Sequence, residues 1–465
     1  MDKYSIKKDL TVGMHLYFNI KNFSDLLEQD TTKSNAVLLF QAIDLLIRQT
    51  QKDIKTYDDN VYIEKVTDSR IHCVIEECNN LPRYFYLLIS SFFKNIEIIN
   101  RRINGFKQLD DFIINAGCDY GKYVDYTLTF ASLDEDNSIG FPCNKAAKIQ
   151  NVADNNEILI SKKAFDRLNG SKPAIPFSQI NKERHLLEGT TYEDTFYSIA
   201  NPDWESLDVE NELFNKQNAY REFEDQVESL NRQTDKQISD FKTKIKKEEN
   251  SPVLYCDIRG FTKKFEEDGS NLIYMVKKTV LALERMYYTS SKNMKHIQFQ
   301  GDRELCSGDE GTIGKSIVTA LELIDSFKGN INRLLENTGF NADDFAVGIG
   351  VAYGSYYRAN IGFGDAKSPL LLGAIPMFAN IAEDKYASKP YQISLHKTAY
   401  NAATKDKTKP LAKTVEELFV KTSNSDYYVI KPNISLAVYK DVYNKYYNET
   451  NSLRQQSDGG KPWSR

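Results

Sequence analysis

Four short segments recur in the same order in the two halves of this 465-residue chain, and that repetition limits its fold more than any single motif does. HLYFNIKNFSDLL (15–27) matches VLYCDIRGFTKKF (253–265), and IEKVTDSRIHCVI (63–75) matches the hairpin-like HIQFQGDRELCSG (296–308). Further on, SIGFPCNKAAKIQ (138–150) matches LLGAIPMFANIAE (371–383), and EILIS ending at Ser161 matches YQISL around Ser394. The offsets stay nearly constant: 257 − 19 = 238, 302 − 68 = 234, and 233 for the last two. A register kept over four segments indicates a duplicated domain of roughly 190 residues, within the usual domain range.

Each copy opens on the same local pattern. VLYCD is an apolar run suited to a buried strand; Gly260 then breaks it, and a tight turn and helix start follow. HIQFQGDRELCSG alternates about Gly301 and Asp302, so it reads as a hairpin with an acid at its tip. Between them Leu272, Met275, Val276, Thr279, Val280, Leu283 and Met286 fall at helical spacing. Pairing the hairpin beside the first strand would bring Asp257 and Asp302 together, which is how a site for two divalent ions is built. Asp257 alone would be read as a turn or cap residue; the second acid shifts the reading to a cation site.

Composition excludes other classes. A net charge of −5 gives no electrostatic footprint for nucleic acid or an anionic membrane. No apolar run reaches the ~18 residues of a membrane span, and MDKYSIKKDL lacks a signal-peptide core, so a cytoplasmic location is expected. The 6 cysteines lack paired zinc spacing and are expected to be reduced core residues. Residues 201–250 are polar and charged, with Phe214, Tyr220, Phe223, Val227 and Leu230 near helical spacing, and read as a helical connector. The domains are therefore expected at 1–200 and 251–447, with an unstructured tail at 448–465.

LYCDIRGFT, FQGD, VGIGVAYGSYYRANIG and the LLG…ISLHKTAYNAA run together resemble the catalytic domain of class III adenylate and guanylate cyclases, in both halves. The resemblance implies an α+β chain of two ferredoxin-like cyclase domains paired head to tail as an intramolecular pseudo-heterodimer. It also implies a shared site, in which one copy gives two metal-binding Asp residues and the other gives base-reading residues with an Asn and an Arg for the transition state. In the C-terminal copy Asp257 and Asp302 stand, while the Asn and Arg positions fall on Met377 and Ile381. In the N-terminal copy Asn19 replaces the first acid and Asp68 is taken as the second; the Asn position is Asn144 and the Arg position Lys148. One complete site and one vestigial site are expected.

By that resemblance the Ile258 carbonyl joins Asp257 and Asp302 in holding two divalent cations, Mn²⁺ or Mg²⁺. Backbone N–H groups of Gly260, Phe261 and Thr262 cradle phosphates at the helix start. Asn144 orients the ribose, and Lys148 offsets charge at the α-phosphate without the bidentate fork of Arg. Adenylate cyclases place a Lys four residues before the hairpin acid and an Asp three before the glycine of the third segment; these positions are read as Glu64 and Asn137. A carboxylate accepts hydrogen bonds, so Glu64 points to a base presenting an amino group. CTP is expected ahead of UTP and GTP, since the departures resemble the Pycsar pyrimidine cyclases of antiphage defence, whose product a downstream effector protein reads. Guanylate cyclase activity and a catalytically dead nucleotide sensor are the alternatives, and a homodimer of whole chains stays open. No nucleic-acid or membrane partner is expected.

Overall fold

The computed structural model describes residues 4–23, 26, 33–55, 60–67, 69–103, 111–129, 135–168, 177–185, 191–200, 217–231, 245–265, 269–331, 345–361, 368–431, 441–442 and 444. The N-terminal copy runs β1 (Tyr4–Ile20), α1 (Lys33–Lys55), β2 (Val61–Thr67), β3 (Arg70–Glu76), α2 (Leu81–Ile103), β4 (Ile114–Leu128), β5 (Glu135–Ile139), α3 (Phe141–Val152), β6 (Glu157–Ile160), α4 (Lys162–Leu168), β7 (Ser178–His185) and β8 (Thr191–Ala200). α5 (Gln217–Asn231) follows. The C-terminal copy repeats the order: β9 (Ile245–Ile258), α6 (Leu272–Ser290), β10 (Lys295–Gln300), β11 (Arg303–Ser307), α7 (Ile313–Ser326), β12 (Val347–Ile361), β13 (Ser368–Leu372), α8 (Ala374–Ile381), β14 (Gln392–His396), α9 (Lys397–Thr404), α10 (Pro410–Leu418), β15 (Phe419–Lys421) and β16 (Tyr427–Ile430).

Each copy builds one 8-stranded mixed sheet of the same topology: β2-β3-β1-β4-β6-β8-β7 with β5 on β4, and β10-β11-β9-β12-β14-β16-β15 with β13 on β12. The central strands are apolar runs buried on both faces, such as Val253 to Cys256. The helices carry buried apolar stripes, such as Leu272, Met275, Val276, Val280, Leu283 and Met286 on α6. The helix after the first strand begins later than the sequence suggested. Phe261–Lys264 is a single 3₁₀ turn, and the α-helix starts at Leu272. Gly260 has φ +68°, a left-handed conformation that takes the chain out of β9 before that turn.

The registers correct two of the matches made between copies. Arg70 pairs with Asn19 as Arg303 pairs with Asp257, and Thr67 faces Arg70 as Gln300 faces Arg303. The residue at the place of Asp302 is therefore Ser69. Asp68 lies outside the described residues. The slip comes from matching acid to acid: at the 233-residue offset of the neighbouring segments Asp302 falls on Ser69, one residue after Asp68, while both hairpins carry an extra residue in their first strand, at Glu64 and between Lys295 and Gln298. Ser161 likewise matches His396 instead of Ser394, since each directly precedes the helix after the parallel strand and Asn156 and Tyr391 share a positive φ.

The compact units differ from the copies read in the sequence. One unit joins Met1–Lys247 with Thr262–Val280 and Tyr357–Ala374; the other holds Glu248–Phe261, Leu281–Tyr356 and Ile375–Arg465. Inside the first, Leu370 and Leu372 of β13 belong to the same apolar cluster as Val61, Ile63 and Phe92, and β13 packs on β2. Phe223, Val227 and Leu230 of α5 are buried in that cluster too, so part of the connector is a packed helix; Phe214 and the tail lie outside the described residues. Leu372→Ala should lower stability by about 2–5 kcal/mol, read as the denaturant midpoint, because it opens a cavity at a side chain only 1% exposed. A change under about 0.5 kcal/mol would show that β13 is not part of this core. Among the described residues no helix is long and apolar enough to cross a membrane. All six cysteines are free thiols.

Candidate functional site

The site in the C-terminal copy is set by strand register. β11 lies antiparallel to β9 with Arg303 opposite Asp257, so the preceding Asp302, in the β10–β11 turn, is brought beside Asp257. The Asp257 side chain is 24% exposed. Its carboxyl is pushed well above the usual carboxylate range by loss of solvent, then by the negative charge of Asp302 and of Glu383, against the pull of Arg259 and Arg303. Asp257 with the negative charge of Asp302 beside it forms a hard oxygen donor set, which fits a divalent cation. Among the described residues no group of three or more His, Cys, Asp or Glu side chains could hold a metal, so the remaining donors would be backbone and substrate oxygens. Ile258 is 1% exposed and follows Asp257 directly.

An ionic network unforeseen in the sequence surrounds these acids. Arg259 Nη1 donates to Asp257 Oδ2 at 3.1 Å, and its Nη2 donates to the Glu383 carbonyl at 2.7 Å and lies 2.5 Å from Glu383 Oε1. Arg303 Nη2 pairs with Glu383 Oε2. Glu383 is fully buried, and Arg303 also stacks its guanidinium over Tyr255, 4.9 Å from the ring centroid. Two glycines make this geometry possible. A Cβ on Gly350 would meet the Glu383 backbone nitrogen at 2.3 Å, and one on Gly348 would meet Arg259 Nη2 at 2.0 Å. The next residue but one along β11, Glu304, is 0% exposed and accepts from Ser290 Oγ at 2.8 Å. Burial pushes its carboxyl up to about 8. The raised value means that the fold favours the neutral acid, so this stability is complete below about pH 4.5 and is lost as pH rises through about 8. The stability of the wild type relative to Glu304→Gln should thus fall by roughly a few kcal/mol from pH 4.5 to pH 9, measured by chemical denaturation. A pH-independent difference would refute the assignment.

The N-terminal copy fills the same places with neutral groups. Ser69 Oγ donates to Asn19 Oδ1 at 2.5 Å, and Asn19 Nδ2 donates to Asn115 Oδ1 at 3.4 Å. Gln150, which takes the place of Glu383, donates through Nε2 to Asn115 Oδ1 at 2.9 Å. Gly117 matches Gly350, since a Cβ there would meet the Gln150 backbone nitrogen at 2.1 Å. Lys21 takes the place of Arg259 and donates to the Ala153 carbonyl at 3.3 Å. This ladder of amides has no excess charge to hold a cation.

Asn144 and Lys148 lie one turn apart on α3, both half-buried. Asn144 Nδ2 is a buried donor without a hydrogen-bond partner among the described residues. Met377 and Ile381 occupy the equivalent places on α8.

The expectation for Glu64 changes. Its carboxylate sits against His72 Nδ1 and accepts from Ser138 Oγ. Burial works against its ionisation, but His72, and then the hydroxyl of Ser138, outweigh burial and hold it at about 2. It is therefore a buried structural anion tied to β3 and β5. Counted from Ser69, the position four residues earlier is Lys65, whose Nζ donates to Asn137 Oδ1 at 2.9 Å; both residues are buried. Sequence counting missed Lys65 because it started from Asp68, one residue before Ser69. The matching pair in the other copy is Gln298 and Leu370.

No protein-family model matches the chain, and no curated protein matches it. Among solved structures, a class III adenylyl cyclase-like ATP-binding protein from Pseudomonas aeruginosa aligns over 95% of this chain and 93% of that one, with 16% identity and a TM-score of 0.65. The adenylyl cyclase CyaB from P. aeruginosa covers 41% of this chain and 99% of its own at 13% identity and TM-score 0.32; the guanylyl cyclase Cya2 covers 41% and 98% at 19% identity and TM-score 0.32. The chain has the α+β fold of class III cyclase-like proteins, in two copies.

Proposed function

We propose that the protein is a nucleotidyl cyclase with one active site per chain, converting a nucleoside triphosphate to its 3′,5′-cyclic nucleotide and pyrophosphate. The observation behind this reading is the complementary filling of matched positions. Asp257 and Asp302 in one copy stand against Asn19 and Ser69 in the other, and Asn144 and Lys148 stand against Met377 and Ile381. Divalent cations at Asp257 and Asp302, Mn²⁺ or Mg²⁺, would neutralise the phosphates and acidify the 3′-hydroxyl. The chain's own groups do the rest. Backbone N–H groups of the Gly260–Phe261–Thr262 turn hold the outer phosphates, although this is a 3₁₀ turn and not the start of an α-helix. Asn144 Nδ2 donates to the ribose, and Lys148 offsets negative charge at the α-phosphate as the 3′-oxygen bond forms and the bond to pyrophosphate breaks.

Lys65 and Asn137 form the base-reading pair. A lysine can only donate, and an amide oxygen accepts, so together they suit a ring-nitrogen acceptor next to an exocyclic amine. Adenine and cytosine share that pattern; guanine and uracil present N–H beside a carbonyl. ATP and CTP are the substrates this pair supports. CTP agrees with the resemblance to Pycsar cyclases, whose products act through an effector protein, while the whole-length neighbour is named as ATP-binding. A second reading, nucleotide binding without turnover, is favoured by the ion pair that already engages Asp257.

Incubating the protein with each of the four ribonucleoside triphosphates and Mn²⁺ or Mg²⁺, with chromatographic separation of products, tests both. Cyclic AMP or cyclic CMP with pyrophosphate is the expected result, and Lys65→Ala should lower kcat/KM for these substrates by about 10²-fold. Binding without any cyclic product would establish the second reading.

A further inference from the structure

We infer that Glu383 is a positioning residue for the cation site: it binds the two arginines beside Asp257 so that the Asp257 carboxylate can turn to a divalent cation. The inference rests on the cyclase reading of that site. Asp257 faces arginine from two directions, Arg259 two residues along its own strand and Arg303 opposite it across the β9–β11 register. A guanidinium is always charged and matches a carboxylate in geometry, so either one is a competitor for the oxygens a metal would use. Glu383 is placed between them. One of its oxygens takes Arg259, the other takes Arg303, and its backbone carbonyl takes a further donor of Arg259. Arg259 reaches Asp257 through its other terminal nitrogen, Nη1, at 3.1 Å, the longest of these three contacts.

The duplicated copy supplies an internal control. Where the acids are replaced by Asn19 and Ser69, the equivalent of Glu383 is the neutral Gln150, and the equivalent of Arg259 is Lys21, turned to a backbone carbonyl. The extra carboxylate is present in the copy that has acids at the two matched places and absent from the copy with Asn19 and Ser69 there. A purely structural helix-to-sheet tie does not require that correlation, because Gln150 makes such a tie with an amide.

The test is Mn²⁺ binding by the intact chain in the absence of nucleotide, followed by electron paramagnetic resonance of the free ion. Glu383→Gln should weaken Mn²⁺ binding about 10- to 100-fold, the usual effect of removing a group that supports a metal ligand. Glu383→Gln combined with Arg303→Gln, which removes one competitor along with the clamp, should recover most of that loss. Wild-type affinity in Glu383→Gln overturns the inference, and so does a double variant that is folded yet as weak as the single one. If Glu383→Gln does not fold, Arg303→Gln alone decides: unchanged or tighter binding supports the inference and a tenfold loss overturns it. Asp257→Asn is the separate control, because wild-type binding in that variant removes the cation-site reading itself.

Discussion

Asp257→Ala and Asp302→Ala should each reduce cyclic nucleotide formation by about 10³-fold or more, since each removes a carboxylate proposed to hold the divalent cations that would offset triphosphate charge. Met377→Ala, at the matching place of the residue proposed to hold the ribose, should stay within about threefold of the wild type. The pair of results separates one functional site from two. If Asp257→Ala retains substantial turnover, cyclisation does not use this carboxylate. If Met377→Ala is as damaging as the acid variants, the second site is also in use. Measuring the melting temperature alongside guards against a trivial loss of fold, because Asp257 also pairs with Arg259.

The next largest effect is expected on α3. Asn144→Ala and Lys148→Ala should each lower kcat by about 10²–10³-fold with a smaller change in KM, as loss of a donor used chiefly in the transition state does. Lys148→Arg should retain or raise the rate, because the fork geometry suits a phosphate better. Mixing the Asp257→Ala chain with the Lys148→Ala chain should restore nothing if each site is completed within one chain. Recovery on mixing would mean that sites form between chains. Intact variants are the right probes here, because one compact unit contains residues from both copies and a cut near residue 245 would divide it.

The duplication, the order of elements and the α+β class were legible in the sequence, since strand and helix periodicities survive even where the side chains that do chemistry have changed. Asp257 was readable for the same reason: it ends an apolar strand before a glycine. What failed was counting across a hairpin. Asp68 stands one residue before the true counterpart of Asp302, Ser69, and matching acid to acid moved the count by one, which put the proposed base-reading position on Glu64 instead of Lys65. The late start of α6 was hidden because Gly260 signals the end of a strand without saying how many residues intervene before a helix. Glu383 was missed although its signal was present: the third repeated segment ends in Gln150 in one copy and Glu383 in the other, at equal offset. A charge that differs between copies at a buried position, beside a glycine in the adjoining strand, is a readable mark of a functional cluster.

Gly348 has a bearing on the history of such a chain. Asn115 stands at its place in the N-terminal copy, where it joins Asn19 and Gln150 and donates to the carbonyls of Gln150 and Ala153 at 3.1 and 2.8 Å. Restoring an acid at position 19 alone would place a charge in an amide ladder opposite Arg70, whose Nη2 donates to Asn151 Oδ1 at 2.8 Å, and an arginine at position 21 would meet the Asn115 side chain, just as Arg259 leaves no space for a Cβ at Gly348. Each single step back toward a second working centre is disfavoured until the others have been taken. On the proposed division of roles between the copies, return would require several coordinated replacements at once, a one-way ratchet built from ordinary packing and hydrogen bonds.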